Sequence, residues 1–278
     1  MSNVKTIKTF RDLLSFLTII PVCEDSNYIF NTADHMYLFT LIGAFIGVLA
    51  GGYYLAANYV FNFLLSEINN FIALPTVLIA RLMVAAMTVA FLMVITGLQH
   101  FDGIIDLGNT FGLRNIQDRK DVAHAWTVTY WGALLAFIVE AGAFLGLFLI
   151  NPVFAFGAIL ASEASAKLAM VTIAWIGKPA HKGLGSIFLS KAKKKLNITA
   201  YIIALIVSFP IFTWQLGPLK GLICMAIVLV SVPVAFFMRA ISNRAFGGVS
   251  GDTIGATNEV ARTVTLVLLA VALWALAL

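Results

Sequence analysis

Long hydrophobic runs separated by polar segments dominate the pattern of this chain. Six of them have roughly 17–25 residues, the length that a helix needs to cross the ~30 Å hydrocarbon core of a bilayer, and a seventh, the last, is slightly shorter. The predicted spans are roughly 36–57, 74–98, 132–150, 153–176, 198–216, 220–238 and 263–278. The pattern therefore predicts an all-α integral membrane protein of about seven transmembrane helices, with residues 1–278 forming one polytopic domain.

A shorter apolar stretch, "LLSFLTIIP", precedes the first predicted span. It follows basic residues, as in a signal peptide, but it lacks a small-residue cleavage site and is broken by Pro21. Phe10, Leu13, Leu14 and Leu17 are spaced to share one helical face. We therefore expect an amphipathic segment at the membrane surface before the first span.

Composition supports the membrane prediction. Hydrophobic residues make up 61% of the chain and charged residues 11%, with a mean hydropathy of +0.96, whereas about a quarter of the residues are charged in soluble domains. The sequence pI is about 9.2, but the basic residues lie beside apolar runs and form no patch interleaved with aromatic residues. Nucleic acid is therefore not an expected partner.

Cys23 and Cys224 lack metal-type spacing and are predicted near opposite membrane faces, which disfavours a disulfide.

The basic residues are distributed asymmetrically. Fifteen of the 18 Lys and Arg lie in the segments 1–35, 99–131, 177–197 and 239–262. By the positive-inside rule, the N-terminus and the three loops at about 99–131, 177–197 and 239–262 are predicted to be cytoplasmic. We expect a multi-pass protein of the cell (plasma) membrane whose active site faces the cytoplasm. The lysine-rich run at 191–195 is predicted to anchor the chain against anionic membrane lipids.

The first candidate for chemistry is "TGLQHFDGIIDLGNTFG", residues 96–112. If the helix of the second span continues here, Asp102 and Asp106 lie at i and i+4 on one face. Two like charges at that spacing destabilise a helix unless a cation lies between them, and Mg²⁺ is commonly held by one or two carboxylates with waters and phosphate oxygens. The alternatives are a solvated helix end for the acids and a structural role for His100.

The second candidate is "NRAFGGVSGDTIGATNE", residues 243–259. Its glycines allow a close backbone approach to a ligand, and successive free amides can bind an anion. Its polar side chains could supply metal ligands or hydroxyl contacts just before the final predicted span. A hairpin between two helices is the alternative interpretation.

A third stretch, "HKGLG" at 181–185, places Lys182 on a loop with Gly183 and Gly185, where its ammonium could reach a phosphate. Within the spans, Glu163 and Lys167 are predicted to neutralise each other at i,i+4, and Arg81 and Glu140 are predicted to pair between neighbouring helices. Such groups could line a transport pathway, but contacts between helices are the favoured interpretation.

Three motifs in this order resemble those of the cobalamin synthase family, the adenosylcobinamide-GDP ribazoletransferases. They are "GLQHFDGIIDLGN", "GLGSIF" and "GGVSGDTIGATNE". The segments "LSFLTIIPV" and "FTLIGAFIGVLAG" resemble the family's opening segment and first span, so the resemblance covers nearly the whole chain. Asn109 stands where the family has a third acid, and Glu163 stands where an arginine is usual. The family's Lys-Asp-Ser-Arg stretch is not recognisable after residue 112.

The resemblance implies a Mg²⁺-dependent membrane phosphotransferase of late cobalamin biosynthesis. It would join adenosylcobinamide-GDP to α-ribazole, or to α-ribazole 5′-phosphate, and release GMP. The implied catalytic residues are His100, Asp102, Asp106, Asp252 and Glu259, with Asp102, Asp106 and Asp252 as metal ligands. The implied substrate-binding residues are Lys182, Gly183, Gly185, Arg244, Gly248, Gly251, Thr253 and Asn258.

Two alternatives belong to different classes. The acids at a helix end are also typical of CDP-alcohol phosphotransferases, although the arginine of their DGxxAR motif is missing here. A corrinoid-binding protein or transporter without catalysis is the other alternative. The small-residue face "GAFIGVLAGG" at 43–52 permits close helix contact and suggests a homo-oligomer.

Overall fold

A computed structural model describes residues 2–23, 25, 27–123, 125, 127–193 and 195–277. This part of the chain is helical and contains no β-sheet. Its α-helices are α1 (Ser2–Leu17), α2 (Tyr28–Asp34), α3 (Phe39–Asn69), α4 (Thr76–Ile95), α5 (Gln99–Asn109), α6 (Ile116–Ala123), α7 (Tyr130–Leu149), α8 (Pro152–Ile176), α9 (Leu184–Lys191), α10 (Ile198–Leu216), α11 (Pro218–Val228), α12 (Ser231–Phe246) and α13 (Gly251–Ala277). Short 3₁₀ turns at Met36–Leu38 and Lys195–Asn197 precede α3 and α10.

Seven helical segments are long and apolar enough to cross a membrane, which confirms the predicted all-α membrane fold. They are Met36–Asn69, Thr76–Ile95, Tyr130–Leu149, Pro152–Ile176, Lys195–Leu216, Pro218–Phe246 and Gly251–Leu276. Large apolar side chains face outward along them, including Phe137 at 70% exposure and Trp214 at 91%. Outward apolar surfaces of this kind suit contact with lipid.

The predicted boundaries of two segments differ from the structure. Helix α3 continues to Asn69, well beyond the predicted end of the first span. Helix α13 begins at Gly251, so most of the predicted 239–262 loop is helical. Hydropathy missed this start because the polar side chains of Asn258 and Glu259 are buried and satisfied inside the protein.

Helix α8 is the centre of the fold. Every residue from 157 to 174 is buried, and the helix packs against α3, α10, α12 and α13. Glycines of α3 allow the closest of these contacts, since a side-chain carbon at Gly47 would overlap the α8 backbone at Leu160 and one at Gly51 would overlap the Phe156 ring. The small-residue face at 43–52 is therefore largely used inside the chain, which removes the main argument for a homo-oligomer.

The amphipathic face predicted before the first span is also confirmed. Leu13, Leu14 and Leu17 of α1 are buried and Phe10 is partly buried, and α1 packs on α2 and α3. The face thus covers the protein's own core. In the lysine-rich run, Lys191 forms an ion pair with Asp34 at 3.2 Å, and Lys194 lies outside the described residues.

Candidate active site

A break in the helix after the second span creates the first half of the site. Helix α4 ends in a pair of backbone bonds, from Leu98 N–H to the Met93 carbonyl and from Gly97 N–H to the Val94 carbonyl, both 2.9 Å. Gly97 and Leu98 adopt φ values of +66° and +61°, the left-handed conformation that closes a helix in this motif. The helix of the second span therefore does not continue into this stretch, and α5 starts separately at Gln99.

Helix α5 places Asp102 and Asp106 one turn apart on the same face, as their spacing predicted. It crosses the first turn of α13 closely, because Gly103 has no side chain to collide with the Asp252 backbone. Gly255 of α13 lies against His100 in the same way. The crossing brings Asp252 beside the two acids, although 150 residues separate Asp102 from Asp252 in the sequence.

The turn between α12 and α13 is held by its own hydroxyl groups. Gly247 ends α12 with φ +77°, and Ser250 Oγ accepts a bond from Thr253 N–H at the start of α13. The Thr253 hydroxyl contacts the hydroxyls of Ser242 and Ser250 at 2.8 and 3.0 Å. Thr253 is fully buried, so this predicted substrate contact has a structural role in holding the turn.

A second segment braces this turn. Val249 N–H donates to the Lys178 carbonyl at 2.7 Å, and Ala180 N–H donates to the Val249 carbonyl at 3.0 Å. Gly248 is buried against the backbone of this 178–180 segment. The glycine-rich stretch at this position thus joins two parts of the protein, and Gly248 is packed rather than free to meet a ligand.

Three carboxylates face one cavity of about 260 Å³. We call it the acidic cavity, and the residues described around it are Asp102, Ile105, Asp106, Ala123, Thr127, Val128 and Asp252. No lysine or arginine occurs among these lining residues. Burial, followed by the charges of Asp102 and Asp252, raises the pKa of Asp106 to about 7. Burial and the charge of Asp252 also raise the pKa of Asp102.

This charge pattern fits a cation supplied from outside the chain. The described residues include no group of three His, Cys, Asp or Glu close enough to hold a metal alone. Mg²⁺ does not require one, since it is usually held by one or two carboxylates with waters and substrate phosphate oxygens. One or two of the carboxylates of Asp102, Asp106 and Asp252 could therefore hold Mg²⁺ together with a phosphorylated ligand.

Asn109 replaces the expected third acid for a structural reason. Its Nδ2 donates to the Thr127 carbonyl at 2.8 Å, and its Oδ1 accepts from the N–H and the hydroxyl of Thr129. A carboxylate could not donate the first of these bonds. The amide therefore holds the segment 127–129, of which Thr127 and Val128 line the acidic cavity.

A second cavity, of about 320 Å³, adjoins the same turn. We call it the apolar cavity, and its lining comprises Phe16, Met36, Phe39, Gln99, His100, Met170, His181, Leu184, Gly185, Phe188, Gly251, Asp252, Ile254 and Gly255. Asp252 therefore lines both cavities. Burial, followed by the positive charges of Lys167 and Arg262, lowers the pKa of the His100 imidazole well below its usual range. A neutral His100 can accept a proton or a hydrogen bond.

Other predicted binding residues lie elsewhere. Lys182 and Gly183 are exposed on the segment before α9 and line neither cavity. Arg244 lies at the end of α12 beside a separate opening of about 280 Å³, where Arg119 donates to its carbonyl at 2.5 Å. Of the predicted substrate-binding residues, Gly185 and Gly251 thus line the apolar cavity. Lys182, Gly183 and Arg244 line neither cavity.

Glu259 and Asn258 lie deeper, in a group that we call the buried ion network. It consists of Glu140, Glu163, Lys167, Asn258, Glu259 and Arg262. Arg262 bonds to both Glu163 and Glu259, and Lys167 donates to Asn258 Oδ1 at 2.7 Å. Glu259 and Asn258 therefore contact protein groups and line neither cavity.

The network answers two further predictions. Glu163 and Lys167 do pair, with Oε2 and Nζ 3.6 Å apart. The predicted pair of Arg81 and Glu140 is wrong. Arg81 donates instead to the carbonyls of Phe148 and Ile150 at 2.6 and 3.3 Å, because these groups at the end of α7 have no helical partner. Glu140 interacts electrostatically with Glu259 and Arg262. Arg262, which bonds to two acids of the network, belongs to none of the sequence motifs and was not predicted.

Comparison with known proteins identifies the family. The model of the cobalamin-5-phosphate synthase family matches residues 9–270. An adenosylcobinamide-GDP ribazoletransferase of Methanocella arvoryzae is 32% identical over 95% of this chain and 96% of its own length. Proteins of the same name from Methanosarcina barkeri and Haloquadratum walsbyi are 29% and 28% identical, over 95% and 94% of this chain and 92% and 96% of theirs. No solved structure matches the chain at a significant level. The chain belongs to the cobalamin-5-phosphate synthase family.

Proposed function

We propose that this protein is a membrane transferase that joins adenosylcobinamide-GDP to α-ribazole, or to α-ribazole 5′-phosphate, in late cobalamin biosynthesis. The relatives named above are named for this activity, and they match nearly the full length of this chain. The observation that carries the proposal is the acidic cavity, where Asp102, Asp106 and Asp252 from two helices meet without a basic residue in the described lining. Such a site suits a divalent cation and a pyrophosphate.

Mg²⁺ is the cofactor that we propose for this site, held by Asp102, Asp106 and Asp252. When bound, it would neutralise charge on the pyrophosphate and on the departing GMP. The pKa of Asp106, raised to about 7, reflects burial and the unbalanced charges of its neighbours, and it supports a site adapted to a cation. The acids would also orient the donor so that its cobinamide-side phosphorus faces the acceptor.

The chemistry assigned to the acceptor is a displacement at phosphorus. The family's name gives its product a phosphate at position 5. When the acceptor is α-ribazole 5′-phosphate, its own phosphate is therefore retained and a ribose hydroxyl is the nucleophile; with α-ribazole the nucleophile is likewise a ribose hydroxyl. Its oxygen would form a bond to the cobinamide-side phosphorus while the bond from that phosphorus to the bridging oxygen of GMP breaks. GMP leaves with that oxygen, and the hydroxyl proton passes to a base.

His100 is our proposed base, with an acidic side chain of the cavity as the alternative. The imidazole is 5% exposed, lines the apolar cavity and lies beside Gly255 of α13. A neutral imidazole accepts a proton at Nε2 or Nδ1, and positioned bases of this kind contribute roughly 10²–10⁴-fold to rates. Glu259, which is ion-paired inside the protein, would act through the position of α13 rather than by touching substrate.

We also propose that the site faces the cytoplasm from the plasma membrane. The ends of α4, α8 and α12 and the starts of α7 and α13 all lie on the side of the bundle that carries the site, because successive spans alternate in direction. Most lysines and arginines lie on that side, which supports a cytoplasmic orientation. Both substrates would then reach the enzyme from inside the cell.

The proposal is tested by GMP release from the full-length protein in liposomes with Mg²⁺ and adenosylcobinamide-GDP. We expect release that requires the acceptor and that Asp102→Asn reduces roughly 10²- to 10³-fold. Asp121→Asn is the matched control, because Asp121 is an exposed acid of neighbouring α6 that bonds to Gln117 on the same helix. Normal release by Asp102→Asn, or equal release without acceptor, would contradict the proposal.

A further inference from the structure

We infer that the apolar cavity binds the uncharged heteroaromatic base of the acceptor nucleoside, and that Asp252 marks the junction where acceptor and donor meet. The inference rests on the proposed function and names the subsite that one of its two substrates occupies. It is drawn from the lining, position and volume of the apolar cavity.

Aromatic rings form much of the cavity wall. Phe16 of α1 stacks on Phe188 of α9 with ring centres 4.8 Å apart, and Phe39 of α3 lies 6.0 Å from Phe188. Phe39 and Phe188 are 1% and 4% exposed. The other apolar side chains of the wall are Met36, Met170, Leu184 and Ile254. Methionine adapts its shape to an aromatic ligand. A flat, uncharged, bicyclic base matches this surface, whereas a phosphate does not.

The apolar cavity and the acidic cavity share one lining residue, Asp252. A base held among the rings therefore directs its ribose toward the carboxylates. His100 lies on the same wall and is almost fully buried, and its Nδ1 has no hydrogen-bond partner within the described part of the chain. A ribose hydroxyl supplies the polar contact that this nitrogen lacks.

The volume of the apolar cavity favours the acceptor nucleoside over the corrin of the donor. Ligand pockets commonly measure about 300–1,000 Å³, and this cavity, at about 320 Å³, is at the small end. A nucleoside fits that volume, but a corrin macrocycle does not. The polar lining residues are Gln99, His100, His181 and Asp252. The guanine of the donor has a polar edge that needs several matched partners, whereas a benzimidazole needs fewer and suits the three phenylalanine rings better.

The test compares two substitutions that act in opposite ways on the cavity. Phe188→Ala removes an aromatic wall, and Leu184→Trp fills the mouth from a position that is 47% exposed and tolerant of a larger side chain. We expect each to raise the KM for α-ribazole about tenfold and to leave the KM for adenosylcobinamide-GDP within about twofold. Phe137→Ala, at an outward-facing position of α7, is the control and should change neither.

A binding measurement separates this inference from the proposed function. Tritiated α-ribazole should bind to wild-type protein in liposomes without donor, about tenfold more weakly to both cavity variants, and should be displaced by benzimidazole riboside but not by GMP. This result would support the subsite even if no GMP were released in the activity assay. An increase in the KM for the donor alone, displacement by GMP, or unchanged α-ribazole binding in both variants would overturn it.

Discussion

Two groups of acidic side chains lie about two turns apart along α13, and the protein balances their charges in opposite ways. In the buried ion network, Arg262 pairs with Glu163 and Glu259, and Lys167 pairs with Glu163, so groups from the chain itself balance these two acids. The third acid of the network, Glu140, has no hydrogen-bond partner among the described residues. In the acidic cavity, Asp102, Asp106 and Asp252 line one space with no lysine or arginine in the described lining. Acidic side chains therefore have a structural role in the network and a proposed cation-binding role in the neighbouring cavity.

Solvent access explains the difference. The network side chains of Glu163, Lys167 and Arg262 are fully buried, where an unpaired charge costs several kcal/mol and must be balanced permanently. Asp102 is exposed and Asp106 is half-buried, so waters and exchangeable ions can reach them. An unbalanced cluster of acids is tolerable there and leaves room for a cation that arrives with substrate.

The largest effect that we predict is on the network. Arg262→Met would leave Glu163 and Glu259 buried without their cation and should lower the free energy of unfolding by about 3–5 kcal/mol. Thermal unfolding in detergent measures it, with Arg114→Met at an exposed position as the control. If Arg262→Met unfolded at the wild-type temperature, the structural role of the network would be wrong.

A second substitution should have the opposite profile. Asp106→Asn removes a charge from the acidic cavity, so we expect GMP release to fall roughly 10²- to 10³-fold. Thermal unfolding should stay unchanged or occur at a higher temperature, because repulsion among the three acids decreases. Asp106→Asn protein that unfolded early and kept its activity would reverse the comparison between the two regions.

A smaller effect should follow from changing position without changing charge. Gly103→Ala adds a methyl group that would overlap the Asp252 carbonyl, so α5 and α13 must move apart. We expect the free energy of unfolding to fall by about 1–3 kcal/mol. The rate of GMP release should fall about tenfold, because Asp252 moves away from Asp102 and Asp106. Gly52→Ala is the control, since no atom lies within 4 Å of the added carbon. Equal activity in the two variants would show that the α5–α13 spacing is unimportant.

The sequence predicted the parts of this protein that depend on local pattern. Apolar runs predicted the seven spans, and the i,i+4 spacing predicted that Asp102 and Asp106 share a face of a helix. The start of α13 was missed because Asn258, Glu259 and Arg262 make the stretch look like a loop, although their polar groups are paired inside the protein. Partners for such groups cannot be read from a hydropathy pattern.

The remaining features depend on contacts between distant segments. Asp252 reaches the other acids only because Gly103 and Gly255 allow α5 and α13 to approach closely. The aromatic wall combines Phe16, Phe39 and Phe188 from three helices. Each lies in a segment that resembles the family, but the sequence alone does not show that these segments meet. Asn109, a departure from the family's acid, makes sense only once its bonds to Thr127 and Thr129 are known.

The central claim is that the acidic cavity takes its cation from outside, while the network does not. Mn²⁺ binding measured by electron paramagnetic resonance, with adenosylcobinamide-GDP present and acceptor omitted, tests this claim directly. We predict that Asp252→Asn weakens Mn²⁺ binding at least about tenfold and that Glu140→Gln, in the network, leaves it unchanged. Equal Mn²⁺ affinity in wild type and Asp252→Asn, or a loss confined to Glu140→Gln, would contradict the account.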